Sequence, residues 1–108
     1  MRPSSTVHHP SAKLVTAAVP YNNKTRRVVV EFAGSELGSL QPEQPVEAQV
    51  SLSSGKLIRS YVEALPWQKS WRLFIDFEPD GKKPVDMRAT LALRGAVLTE
   101  TFVNVHRP

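Results

Sequence analysis

Apolar residues in this chain recur at every second position in several separate runs, with polar residues in the alternate places. The central run is Trp71 to Phe77: Trp71, Leu73, Ile75 and Phe77 fall on one face of an extended chain, and Arg72, Phe74 and Asp76 on the other. A period of two marks a strand half-buried in an antiparallel sheet. Arg26 to Ala33 repeats the pattern, with Val28, Val30 and Phe32 opposite Arg27, Val29 and Glu31. Val46, Ala48, Val50 and Leu52 likewise alternate with Glu47, Gln49 and Ser51. The turn residues Ser53-Ser54-Gly55 follow, and Lys56 to Ala64 reads as a strand again, so the short connection predicts an antiparallel hairpin with its predecessor. Val85, Met87, Ala89, Leu91 and Leu93 form a further strand that ends at Gly95. Residues 97 to 105 make the last one. Apolar residues occupy both of its parities (Val97, Val103 and Val105 against Leu98 and Phe102), which leaves its inward face and its register open.

Weaker signals fill the gaps. Lys13 to Val19 reads as a first edge strand closed by Pro20, whose missing N–H suits a strand end. Leu37 and Leu40 allow one short helical turn, which two glycines and Pro42 keep from extending. Leu65 to Ser70 and Glu78 to Pro84 are loops rich in turn formers. Turns at intervals of about 8–12 residues predict an all-β domain, an immunoglobulin-like antiparallel β-sandwich of about six to seven strands. A small closed barrel is the alternative. Trp71, Leu73, Ile75, Phe77, Val28, Val30, Phe32, Val50, Met87 and Leu91 are expected to share one core.

A chain of 108 residues makes one domain, long enough to bury roughly 60–65% of its unfolded surface. It has no cysteine, hence no disulfide, thiolate nucleophile or cysteine-ligated metal. Met1 to Pro10 is rich in Ser, Pro and His without an apolar period, so residues 1–12 are expected to form a disordered tail or linker ahead of a module over 13–108. That start carries no apolar core of a secretory signal, and no run approaches the ~20 apolar residues that span a bilayer, so no membrane insertion is expected. Of the 14 Lys and Arg residues, Arg2, Lys13, Lys24, Arg26 and Arg27 precede the first acidic residue. The rest of the chain is electrically balanced, which argues against a nucleic-acid-reading surface in the folded body.

Candidate chemistry is sparse. Adjacent His8 and His9 on a flexible segment rarely converge on one ion, and His106 lies at the far end, so no metal and no cofactor is expected. Asp76, Asp86 and Glu100 sit within predicted strands, and a carboxylate pair is the equipment of glycoside hydrolysis. Arg72, Arg88 and Arg94 are available on the sheet surface, however, so cross-strand ion pairing accounts for the acids without a substrate and no catalytic residue is assigned. Nucleophile elbows, phosphate loops and zinc motifs are lacking. Trp67 differs from Trp71 because no periodicity demands its burial. It is the one site residue assigned here, as a contact for a carbohydrate or, in preference, for a neighbouring domain.

Four segments in order carry a resemblance: Val28-Val29-Val30-Glu31-Phe32-Ala33-Gly34, Ser70 to Phe77, Lys83-Pro84-Val85-Asp86-Met87-Arg88-Ala89, and Leu98-Thr99-Glu100-Thr101-Phe102. Over 26–108 the chain resembles the C-terminal, immunoglobulin-like domain of the osmoregulated periplasmic glucan biosynthesis proteins of the G and D type. Phe102 stands where that family usually has Trp. The resemblance covers only the smaller domain, so the acidic residues of the family's large β-sandwich domain have no counterparts here. It implies an excised or truncated C-terminal module of a periplasmic protein acting on β-1,2-linked glucan, noncatalytic in itself and packing against the large domain, which is missing from this chain along with the signal peptide. The alternative is an independent carbohydrate-binding module with β-glucan as partner.

Overall fold

The computed structural model describes residues 11–20, 24–33, 37 and 40–108, with the backbone alone over 11–20. Most of the expected 1–12 tail, including His8 and His9, lies outside the described residues, while Ser11 and Ala12 pair with Ala33 and Phe32. The strands are β1 (Ser11–Pro20), β2 (Arg26–Ala33), β3 (Val46–Leu52), β4 (Lys56–Leu65), β5 (Ser70–Glu78), β6 (Val85–Leu93), β7 (Ala96–Val97) and β8 (Phe102–His106). They build two antiparallel sheets, one ordered β1-β2-β5-β4 and the other with β6 between β3 on one side and β7 and β8 on the other. Taking β7 and β8 as one interrupted edge, strands one, two, five and four face strands three, six and seven. This is the constant-type immunoglobulin arrangement.

The expected core is where the alternation placed it. Val28, Val30 and Phe32 of β2, Trp71, Leu73, Ile75 and Phe77 of β5, and Met87 and Leu91 of β6 are buried in one cluster, with Val50 partly buried against it. Leu37 closes one end of this cluster: its backbone oxygen accepts a hydrogen bond from Trp71 Nε1 at 3.2 Å, and the Leu40 N–H donates to the same carbonyl at 3.2 Å. Buried indole N–H groups need such a partner.

Two expectations are corrected. β3 and β4 do not form a hairpin: β3 pairs with β6 and β4 with β5. The Ser53-Ser54-Gly55 turn is tied to the start of β6 instead, with the Ser53 N–H donating to the Asp86 oxygen at 2.9 Å, the Asp86 N–H to Ser53 Oγ at 2.8 Å and Ser54 Oγ to the Pro84 oxygen at 2.9 Å. Those bonds hold the end of β3 on its own sheet while Gly55, at φ 79°, crosses to the other. An ideal Cβ on Gly55 would lie 2.6 Å from the Glu78 carbonyl oxygen, so the crossing requires glycine.

The last strand is also interrupted. Val97 opposes Ala92, but Phe102 opposes Ala89, so the chain bulges between them. The Leu98 N–H donates to the Leu91 oxygen at 2.8 Å and the Leu91 N–H to Thr99 Oγ1 at 3.1 Å, a side chain standing in for the missing ladder partner. Beyond the bulge, the facing left open by the sequence is resolved: Phe102 is buried, and Val103 and Val105 are exposed.

Candidate functional site

Three places carry polar or aromatic groups in built arrangements. The first is the outer face of the β1-β2-β5-β4 sheet, around Asp76. Antiparallel register sets Arg27 directly opposite Asp76 on one side and Arg59 directly opposite on the other. Arg27 donates through Nε to Oδ1 at 2.7 Å and through Nη2 to Oδ2 at 2.9 Å, and Arg59 Nε donates to Oδ2 at 2.8 Å. The carboxylate is buried. The hydrogen bond from Arg27 holds its pKa below the ordinary 3.8, with Arg59 adding to the effect and burial opposing it. An acid so held is an anion at neutral pH with its oxygens engaged, unsuited to donating a proton.

Arg72, one of the arginines expected to pair with these acids, faces Glu31 rather than Asp76, with Arg72 Nε 3.4 Å from Glu31 Oε1. The physical reason is distance. Arg72 and Asp76 lie four residues apart on one strand, about 13 Å at ~3.3 Å per residue, whereas cross-strand neighbours are about 5 Å apart. Beside the acid, the rings of Tyr61 and Phe74 stack at 4.7 Å and 8°, and the Arg27 guanidinium carbon lies 5.9 Å and 5.7 Å from their centroids. The Arg59 carbon lies 5.6 Å from the Tyr61 centroid. The facing ring surfaces cover each other, leaving no open slot between them for a flat ligand.

The expected carboxylates are not brought together. Asp76 lies on the outer face of one sheet, Asp86 on the outer face of the other, opposite Val105, and Glu100 in the bulge before β8. Stacked sheets are separated by about 10 Å before side-chain lengths are added. Asp76 and Asp86 therefore do not form the close pair of a glycosidase. Among the described residues, no group of three or more His, Cys, Asp or Glu could hold a metal ion.

The second place is Trp67. Pro66–Gln68 form one 3₁₀ turn between β4 and β5, closed by the Lys69 N–H donating to the Pro66 oxygen at 3.2 Å. Lys69 adopts a left-handed φ of 54° that reverses the chain into β5. Leu65 before the turn and Ser70 after it are buried, and Trp67 at its apex is 77% exposed. Buried flanks and a tight turn hold the indole outward.

The third place lies at the other end of β5, eight residues and about 26 Å from the Trp67 turn. Here Lys24, Arg26, Glu78, His106 and Arg107 line an open cleft of about 600 Å³. The His106 ring meets the Phe77 ring edge-on at 5.2 Å and 78°. Burial, and the charge of Arg26, hold its pKa below the ordinary 6.5. No sequence pattern announced this cleft, because its walls come from three separated segments.

The fold is an immunoglobulin-like sandwich whose built features are an ion-paired sheet face, a tryptophan turn and a cationic end cleft. The chain matches the family model described as periplasmic glucan biosynthesis protein, MdoG, over residues 2–105 and belongs to that family. Its role is in periplasmic glucan biosynthesis, and the compartment of the family is the periplasm. No helix among the described residues is long and apolar enough to cross a membrane.

Proposed function

We propose that this chain is a noncatalytic accessory module in periplasmic glucan biosynthesis, docking against a large glucan-handling β-sandwich domain through the turn that carries Trp67. The observation that carries this reading is Trp67 itself: a large apolar side chain, 77% exposed, at the apex of a turn with buried flanks. Pre-set aromatic anchors of this kind lose little freedom on association and often dominate interface energetics. The acids support the noncatalytic part, because Asp76 is engaged by two arginines and Asp86 lies on the opposite face of the sandwich.

A second reading, direct glucan binding, rests on the same exposed indole. One stacked contact contributes about 1–3 kcal/mol by analogy with bases on aromatic side chains, against an association cost of at least ~4 kcal/mol. A lone platform therefore supports no affinity tighter than about millimolar. Calorimetric titration with linear and cyclic β-1,2-glucans separates the two readings. Heat too weak to fit a constant below the millimolar range is expected; a micromolar Kd abolished by Trp67→Ala would establish the binding-module reading instead. Glucan cleavage by the purified chain, lost in Asp86→Asn, would overturn the noncatalytic assignment.

A further inference from the structure

The cleft at the far end from Trp67 gathers charge from three segments. Lys24 and Arg26 come from the approach to β2 and its first residue, Glu78 from the end of β5, and His106 and Arg107 from the end of β8. Register sets Arg26 opposite Phe77 in one sheet and His106 opposite Val85 in the other, and the ring contact between Phe77 and His106 joins the two ends. Three cationic side chains and one acidic side chain line it. The cleft is open and about 600 Å³, ample for a tetrahedral oxyanion with a substituent.

His106 supplies the directional element. Its Nε2 is buried without a hydrogen-bond partner, and its ring rests edge-on against Phe77. A proton on that dry nitrogen would be an unsatisfied buried donor, so the favoured neutral tautomer carries its proton on Nδ1. Nδ1 is then the nitrogen with which the ring, as part of the cleft lining, can donate to a ligand. The same burial and the charge of Arg26 keep the ring neutral until an anion enters.

We propose that this cleft is an oxyanion-binding site, taking a phosphate-type group with Lys24, Arg26 and Arg107 as counter-charges and His106 Nδ1–H as hydrogen-bond donor. The site is independent of the docking turn, since the length of β5 separates them. Bound anion offsets the cationic field at His106, so its pKa rises on binding, and by linkage affinity increases as pH falls through that pKa. The other charged side chains lining the cleft around the ring are Lys24, Arg26, Arg107 and Glu78.

The test is an NMR titration of the His106 ring resonances, identified by their loss in His106→Gln, with inorganic phosphate and in parallel with sodium chloride at matched ionic strength. A saturable shift with phosphate alone, a raised His106 pKa at saturation, and binding weakened about tenfold or more by Arg107→Glu are expected. Lys69→Glu, at the opposite end of β5, should leave the affinity unchanged. Glucose 6-phosphate distinguishes sources: tighter binding than phosphate identifies a phosphorylated saccharide, and equal binding a free anion, each upholding the site. A chloride titration that reproduces the shift, or an Arg107→Glu variant with unchanged affinity, overturns it.

Discussion

Arg27 and Asp76, neighbours across the β2–β5 pairing, form a two-point ion pair, with Arg27 Nε 2.7 Å from Oδ1 and Nη2 2.9 Å from Oδ2. Arg59 completes it from β4, so one buried carboxylate ties three adjacent strands together on the sheet's outer face. Removing the acid would leave two guanidinium groups side by side. Breaking a buried pair costs about 3–5 kcal/mol, and partial exposure of both arginines reduces that. Asp76→Asn is therefore expected to destabilise the domain by about 2–3 kcal/mol. Urea denaturation of both proteins checks this, and a loss within about 0.5 kcal/mol would show the network to be ornamental.

The two shifted groups give stability a pH dependence with a worked sign. The folded-state pKa of Asp76 lies below 3.8, so the unfolded chain binds the proton more readily in acid. Its contribution is present above the unfolded value and is lost as pH falls through the folded one. His106, held below 6.5, also binds a proton more readily when unfolded, so stability declines as pH drops below about 6.5. Melting temperatures across pH 3 to 8 should fall in two stages. His106→Gln should flatten the stage near neutrality and Asp76→Asn the acid one, whereas a profile unchanged by both variants would contradict these assignments.

Gly55 and Gly95 both have positive φ, 79° and 87°, but differ in surroundings. A Cβ at Gly55 meets the Glu78 carbonyl oxygen at 2.6 Å, and at Gly95 meets nothing within 4 Å. Gly95→Ala should cost about 1–2 kcal/mol for the left-handed backbone alone. Gly55→Ala adds a collision with backbone and should cost at least about 1–3 kcal/mol more. Paired denaturation curves test the difference, and equal losses would refute the sheet-crossing role given to Gly55.

The sandwich and its core were legible because β2, β5 and β6 keep one parity throughout. What escaped were features made by breaks in parity. Leu57 opposes Phe77 but Arg59 opposes Asp76, so a bulge around Ile58 turns Arg59 to the outer face beside the acid. The bulge from Leu98 to Thr101 likewise decides the facing of β8. The switch of β4 to the other sheet left no trace in local composition, because a short Ser-Gly connection suits both a hairpin and a sheet crossing. Trp67 stood out in the sequence as an aromatic outside any period, and the structure leaves it exposed. Lys24, Arg26, His106 and Arg107 escaped notice as a group, since only tertiary pairing unites them.

The docking assignment can be read directly from the two tryptophans. Trp71 is buried at 4% exposure and Trp67 is 77% exposed, so acrylamide quenching of the chain's fluorescence reports on Trp67 almost alone. On adding the large β-sandwich domain of a periplasmic glucan biosynthesis protein, the quenchable fraction should fall and the emission shift to the blue. Trp67→Ala should weaken the association about tenfold or more, as loss of an aromatic anchor does. Quenching of Trp67 that stays undiminished at saturating domain concentration, or association unaffected by Trp67→Ala, would contradict the account.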